Sequence, residues 1–102
     1  MESSKYVISV KRTKNYNNED LSPEMQYFEY VGFDTHSGPM STGYPCFISE
    51  CHAHRFDTED AAKAWWDENK GIISRTTNMD RYDLKTLAIR KVSYRKIKQL
   101  NL

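Results

Sequence analysis

Residues 55–71 contain the signals that begin, orient and end an amphipathic helix. Asp57 or Thr58 can accept hydrogen bonds from the free N–H groups of a first helical turn. Acidic residues in that turn suit the positive end of the helix dipole. Gly71 can adopt the left-handed conformation that commonly closes helices. The pattern therefore predicts a helix from about residue 58 to residue 70.

The predicted helix has one apolar side and one charged side. At about 100° per residue, its small and aromatic side chains fall on a single arc. The arc consists of Ala61, Ala62, Trp65 and Trp66, and it continues toward Ile72 and Ile73. A buried tryptophan covers on the order of 200 Å². Two of them on one side of a helix can anchor the core of a small domain.

The composition fits a single folded domain that covers residues 1–102. A chain of this length buries about two-thirds of its unfolded surface, and a hydrophobic content of 38% supplies one core. No apolar run approaches the roughly 20 residues that a membrane-spanning helix needs, and the first residues show no apolar signal core. We therefore expect a cytoplasmic protein without membrane contacts, whose two cysteines are free thiols.

Two strands are predicted before the helix from alternating and aromatic patterns. Residues 5–12 alternate apolar with mixed side chains, which indicates a half-buried strand. Its inner face is expected to consist of Tyr6, Ile8 and Val10. Residues 26–34 form the second predicted strand, in which Gly32 allows another backbone or ring to approach closely.

A third strand is predicted at residues 44–50 and a fourth at residues 84–94. The apolar phase of the fourth shifts, which predicts a bulge near Arg90 and Lys91. Three strands then precede the helix and one follows it. This order favours an α+β domain, β-β-β-α-β, in which the helix packs on one face of an antiparallel sheet of three to four strands.

The chain holds more aromatic side chains than one inner sheet face can bury. A single helix covers only one face of a sheet, so the other face is open to a partner or to a second copy of the chain. Tyrosine is favoured in protein contacts because it offers a large area with few rotatable bonds. The candidate partner-binding residues are Tyr16, Phe28, Tyr30 and Phe47.

Two turn-rich loops, residues 13–24 and residues 34–44, adjoin the predicted strands. Loops of about twelve residues are uncommon in compact domains and often carry function. We therefore expect both loops to belong to the contact surface. The alternative is that loop 13–24 covers the open face of the sheet itself.

Three segments of the chain carry a resemblance to a known group of proteins. They are an aromatic strand with glycine at residues 30–34, a segment Ala-x-Arg-Phe-Asp-Thr-Glu-Asp-Ala leading a helix at residues 53–61, and a closing strand at residues 83–92. In this pattern the chain resembles small bacteriophage accessory proteins. The resemblance implies a protein that binds host or phage macromolecules, as do the inhibitors of host defence enzymes such as CRISPR nucleases. It assigns no functional residue.

Histidine and cysteine residues cluster between residues 36 and 54. Zn²⁺ requires four such ligands in a tetrahedron, and the candidate set is Cys46, Cys51, His54 and His36. The cluster has no Cys-x-x-Cys or His-x-x-x-His pair, so unliganded thiols and surface histidines are the competing interpretation. Glycine-rich phosphate loops are absent from the sequence as well. We therefore expect no cofactor, no metal and no enzymatic activity.

The C-terminal segment, residues 80–102, carries seven basic and two acidic side chains. Cations beside an aromatic ring can follow a nucleic-acid backbone while the ring stacks on a base. The candidate nucleic-acid-binding residues are Arg90, Lys91, Tyr94, Arg95, Lys96 and Lys98. The alternative is a solvated edge strand that its lysines protect from aggregation.

These patterns together favour a non-enzymatic accessory protein that binds a protein partner. The resemblance adds that the partner belongs to the host, whose cytoplasm is then the site of action, and that the protein inhibits a defence enzyme. A nucleic-acid-binding module and a small zinc protein are the two alternatives.

Overall fold

The computed structural model describes residues 2–34 and 44–95 of the chain. Within these ranges, four strands and one α-helix follow the order β-β-β-α-β. The elements are β1 (Glu2–Arg12), β2 (Tyr27–Asp34), β3 (Tyr44–Ile48), α1 (Glu59–Thr76) and β4 (Tyr82–Arg95). The strands form one antiparallel sheet in the order β3-β2-β1-β4. The predicted α+β class and element order are confirmed.

Helix α1 begins where its capping signals predict. The Thr58 hydroxyl accepts a hydrogen bond from the Ala61 N–H at 3.0 Å. The predicted end at Gly71 is wrong, because the helix continues to Thr76. One further turn buries Ile73 completely, and this burial outweighs the roughly 1 kcal/mol that an interior glycine loses relative to alanine. Two members of the predicted apolar arc are exposed instead, Ala61 and Ile72.

The two tryptophans attach the helix to the sheet through aromatic contacts. The Trp66 ring stacks on Phe47 with centroids 6.3 Å apart. The Trp65 ring contacts both Phe33 and Phe56 at 5.8 Å. Both tryptophans are half-buried, so they close the rim of the core, and the fully buried residues lie behind them. No helix within the described ranges is long and apolar enough to cross a membrane.

A short segment, residues 53–56, lies in a fork between β1 and β2. Strand β1 pairs with β2 only through its last four residues. In the remaining gap, Phe56 exchanges two backbone hydrogen bonds with Tyr6, at 2.8 and 2.9 Å. On the other side the His54 N–H donates to the Val31 carbonyl at 2.8 Å. The segment therefore links both strands where they do not pair with each other.

This fork lets the chain cross the sheet, and apolar clusters lie on both of its faces. The face that packs on α1 holds the larger cluster, composed of Ile8, Val10, Val31, Phe47, Phe56, Ala62, Ile73 and Tyr82. The opposite, outer face holds Val7, Tyr30 and Ala53, with Phe28 and Val92 packed against them. The predicted inner face of β1 is confirmed, since Tyr6 also packs on the larger cluster. Part of the outer face is therefore buried by contacts among these side chains.

One predicted docking residue, Phe47, lies on the wrong face for that role. It pairs with Val31 in the β2–β3 register, and directly paired residues of antiparallel strands project to the same side. Phe47 therefore points toward α1 and is only 9% exposed. The sequence pattern of the short strand β3 could not reveal this register.

Strand β4 contains a bulge at residues 84–87, where its pairing with β1 shifts. The Lys11 N–H donates to the Thr86 hydroxyl at 2.8 Å, and that hydroxyl donates to the Asp83 carbonyl at 2.6 Å. The threonine side chain thereby replaces the missing backbone partner.

The bulge expected near Arg90 and Lys91 is wrong, because both residues pair with β1 in unbroken register. The apolar phase shift that suggested it has another cause. Ile89 packs on the cluster beneath α1, whereas Val92 packs on the outer cluster. A strand with apolar contacts on both faces shows such a shift without any break in pairing.

Replacement of Gly32 by alanine is expected to destabilise the protein by about 1–3 kcal/mol. A Cβ atom there would lie 2.6 Å from Ile48 Cγ2 and 2.8 Å from the His52 carbonyl oxygen. The predicted close approach at Gly32 is thus confirmed, and it is made by the turn Glu50–His52. The free energy of unfolding in urea measures the effect.

Gly71→Ala is the matched control, because nothing lies within 4 Å of a Cβ at that helical position. It should stabilise the protein by up to about 1 kcal/mol through helix propensity. Equal effects of the two substitutions would contradict the close packing at Gly32.

Candidate protein-binding site

The connection between β1 and β2, residues 13–26, is ordered by hydrogen bonds within itself. The Asn15 side chain accepts from two backbone N–H groups of the loop, at 2.8 and 3.0 Å. Lys14 and Asp20 form a bridge across it, with Nζ and Oδ1 3.1 Å apart. Asn18 has a φ of 62°, a left-handed conformation that asparagine tolerates better than most residues. The asparagine-rich composition therefore builds a defined turn.

Arg81, in the turn before β4, ties this loop to the rest of the fold. Its Nη2 donates to the Tyr16 carbonyl at 2.8 Å, and its Nε donates to Asn18 Oδ1 at 3.0 Å. The Asn78 side chain donates to the same Asn18 oxygen at 3.1 Å. The Arg81 carbonyl accepts from the Thr13 N–H at 2.8 Å. The backbone around Tyr16 is thus fixed from two directions.

A buried arginine, Arg12, lies beneath the loop and is only 3% exposed. Its Nε donates to the Lys14 carbonyl at 2.8 Å, and its Nη1 lies 3.7 Å from Glu29 Oε1. Its Nη2 is buried without a hydrogen-bond partner. The Tyr16 ring covers the guanidinium, with the guanidinium carbon 4.3 Å from the ring centroid. A cation–π contact with this ring stabilises the charge that water cannot reach.

Tyr82 completes the buried group by donating its hydroxyl proton to Glu29. Burial, together with this hydrogen bond and the carboxylate charge, raises the pKa of Tyr82 well above its ordinary value. Burial also raises the pKa of Tyr27. Both phenols pair across the sheet with Arg12. The site therefore rests on one cation, one carboxylate and neutral phenols held in a row.

Three large side chains of the loop and of the start of β2 face solvent, and we call them the tyrosine surface: Tyr16, Met25 and Tyr27. They are 75%, 62% and 45% exposed, respectively. Tyrosine, methionine and arginine are enriched where proteins contact each other. The surface offers apolar area with two hydroxyl groups on a rigid base, which suits recognition and provides no nucleophile with a neighbouring base.

Of the four predicted partner-binding residues, only Tyr16 is fully available. Tyr30 is buried in the outer cluster, and Phe47 lies in the core. Phe28 is half-buried and carries the Arg90 guanidinium 4.8 Å from its ring centroid. Sequence reasoning missed Met25 and Tyr27. Pro23, which starts a short 3-10 turn ending at Met25, is the local signal that the chain there leaves the sheet.

The predicted nucleic-acid residues do not form a single surface within the described part of the chain. Arg90 and Lys91 are both exposed, but successive residues of a strand project to opposite faces. The backbone of Tyr94 and Arg95 belongs to β4. The remaining two candidates, Lys96 and Lys98, lie outside the described residues.

The candidate zinc ligands that lie within the described ranges are not grouped together as the ligands of a metal site are. Cys46 is half-buried, Cys51 is exposed, and no disulfide joins them. Cys51 Sγ lies 3.4 Å from Ser49 Oγ, while the exposed His54 ring packs edge-on against an aromatic neighbour. Among the described residues no three potential ligands come together. His36 lies outside them.

Comparison with known proteins yields no matching family model, curated protein or solved structure. Within the described part of the chain, the most distinctive arrangement is the ordered loop that holds an exposed tyrosine over a buried arginine.

Replacing Tyr82 by phenylalanine is expected to reduce the loss of stability that occurs as the pH rises into the alkaline range. The pKa of Tyr82 is raised on folding above its ordinary 10.0, so the unfolded state releases this proton first as pH rises. The contribution of the protonated Tyr82 hydroxyl to the free energy of unfolding is fully present below about pH 10 and declines above it. Urea unfolding between about pH 8 and pH 11 should show a steeper fall for the wild-type protein than for Tyr82→Phe.

Val7→Ala is the control, because it weakens packing in the outer cluster, which does not include Tyr82, and removes no titrating group. It should lower stability at every pH and keep the wild-type slope. Parallel curves for the wild-type protein and Tyr82→Phe would contradict the assignment.

Proposed function

We propose that this protein acts by binding another protein through the tyrosine surface, without catalysing a reaction. The observation that carries the proposal is Tyr16, which is 75% exposed although its backbone is held by hydrogen bonds. The ring contributes a cation–π contact to Arg12, but most of its area stays in water and adds nothing further to folding. A ring on a fixed support does lower the entropy lost on association, because the contact residue is already positioned.

The guanidinium groups below the ring add to its suitability as an anchor. Arg12 and Arg81 lie 4.3 and 5.4 Å from the centroid of the Tyr16 ring. They hold the ring plane in place through cation–π attraction. Binding hot spots are typically such fixed aromatic or arginine groups at the centre of a contact.

The charges around the tyrosine surface indicate the chemistry of the partner. Loop residues 13–26 carry one basic side chain, Lys14, and three acidic ones, Glu19, Asp20 and Glu24. Lys14 is engaged with Asp20. The exposed rim is therefore acidic, and it complements an apolar recess bordered by lysine or arginine.

A basic border of this kind is typical of proteins that handle nucleic acids. Together with the resemblance to bacteriophage accessory proteins, it leads us to propose a host defence nuclease as the partner. In this proposal the acidic rim occupies basic surface that the enzyme uses for its own substrate. Inhibition then requires only that this protein occupies the basic surface of the enzyme.

A second candidate function, nucleic-acid binding, is favoured by one arrangement on the outer face. The cations of Arg90 and Lys11 lie 4.8 and 5.9 Å from the centroid of the Phe28 ring. A ring flanked by cations is a suitable platform for an unpaired base. Binding of a labelled oligothymidylate that weakens steeply with salt and is lost in Phe28→Ser would support this function.

The double substitution Tyr16→Ser, Tyr27→Ser is expected to abolish capture of the protein partner. Removing two anchors at the centre of a contact weakens binding by at least about 2 kcal/mol, which is roughly 30-fold in Kd. Tagged protein is used as bait in bacterial lysate, and the Kd is then measured with the purified captured protein. Ile72→Ala, another exposed apolar side chain, is the control and should bind as the wild type does.

Thermal unfolding of all three proteins shows whether the variants remain folded. Capture that is equal for the double variant and the wild type would refute the tyrosine surface as the binding site.

A further inference from the structure

An apolar cleft of about 240 Å³ lies between α1 and β4. It is lined by Ile8, Lys63, Trp66, Leu87, Ala88 and Ile89. Among these residues only Lys63 is charged. Trp66, Leu87 and Ile89 remain half-buried, so hydrophobic surface inside the cleft is still in contact with water. This cleft is separate from the tyrosine surface.

The cleft borders an unpaired strand edge. β4 is the last strand of the sheet order, and its one neighbour is β1. From Ala88 to Arg95 its pairing with β1 is regular, so its other backbone groups point outward in a straight row. Within residues 44–95 and 2–34, no backbone hydrogen bond reaches that outer row. Such an edge can accept an additional strand.

We infer that the β4 edge and this cleft form a binding site for an extended acidic segment of a partner protein, which adds to the sheet as a further strand. Main-chain hydrogen bonds supply affinity in this mode of recognition, and a pocket for an alternate side chain supplies specificity. Here the pocket is the cleft beside Trp66. Its volume of about 240 Å³ leaves room for one large apolar side chain such as leucine.

The exposed charges beside the cleft select an acidic segment. Lys63 lies at the mouth of the cleft, Lys91 projects from β4 on the same side as Tyr6, and Arg90 projects to the outer face. None of these three cations takes part in an ion pair with a described residue. Side chains of an added strand would lie directly beside Arg90 and Lys91 of β4, and a side chain that enters the cleft would lie beside Lys63. A segment with acidic residues on both sides of the apolar residue that enters the cleft therefore matches this surface.

The same cations disfavour a second copy of the chain as the occupant. Antiparallel pairing of two β4 strands about a two-fold axis near residues 90–91 would place Arg90 and Lys91 of each chain beside those of the other. Like charges directly opposite each other are destabilising in a sheet, and lysines on edge strands commonly prevent such self-association. The charge pattern thus distinguishes an acidic partner from a symmetrical dimer.

A labelled peptide, Thr-Glu-Glu-Leu-Glu-Glu-Thr, tests the inference by fluorescence polarisation with the full chain. Binding should weaken at least roughly tenfold when serine replaces the leucine, and it should vanish when lysines replace the glutamates. Lys63→Glu should weaken binding by a similar factor. Arg75→Glu, an equal charge change elsewhere on α1, should leave the Kd unchanged.

Hydrogen exchange identifies the strand to which the peptide binds. Added protection of backbone amides in residues 88–92 supports strand addition. The inference is overturned if no peptide binds, if the serine peptide binds equally, or if Lys63→Glu and Arg75→Glu behave alike. The inference would also be overturned if sedimentation showed a dimer that blocks peptide binding. Binding of an oligothymidylate at β4, without binding of the peptides, would overturn it as well. Tyr16→Ser must leave peptide binding intact, which separates this site from the proposed function.

Discussion

The structure depends on the insertion of residues 53–56 between β1 and β2. Without this segment the gap between the two strands would leave the backbone of Tyr6 and Val31 without these partners inside the domain, a large penalty for buried polar groups. Phe56 gains its buried position through the same insertion. The segment also brings the chain to the side of the sheet on which α1 begins. One short stretch therefore joins both apolar clusters and positions the helix.

The polar row at the far end of the sheet connects this framework to the surface. Arg12 is buried beside Glu29, and loss of either partner of a buried ion pair typically costs about 3–5 kcal/mol. Such a group is a poor means of gaining stability but an effective way of fixing a conformation. Here it supports the ring of Tyr16, so the exposed surface is held in place by the buried group beneath it.

Local signals in the sequence predicted most of the fold, and contacts between distant residues account for the errors. The start of α1 depends on Thr58 and its neighbours, so it could be predicted, whereas its end depends on burial of Ile73 by remote strands. The face of Phe47 is set by a strand register that the sequence does not express. Tyr16 was recognisable in an asparagine-rich loop. Tyr27 lies in a predicted strand, and its exposure goes with its position at the first residue of β2, which the sequence pattern does not reveal.

The longest pairing in the sheet, between β1 and β4, joins parts of the chain that are far apart in sequence, such as Ile8 and Ile89. Non-local pairings of this kind slow folding, because the entropy of closing a long loop is lost before the contacts form. During synthesis β1 emerges long before its main partner exists. Its apolar face stays exposed in the meantime, which makes the nascent chain prone to aggregation and gives chaperones a substrate.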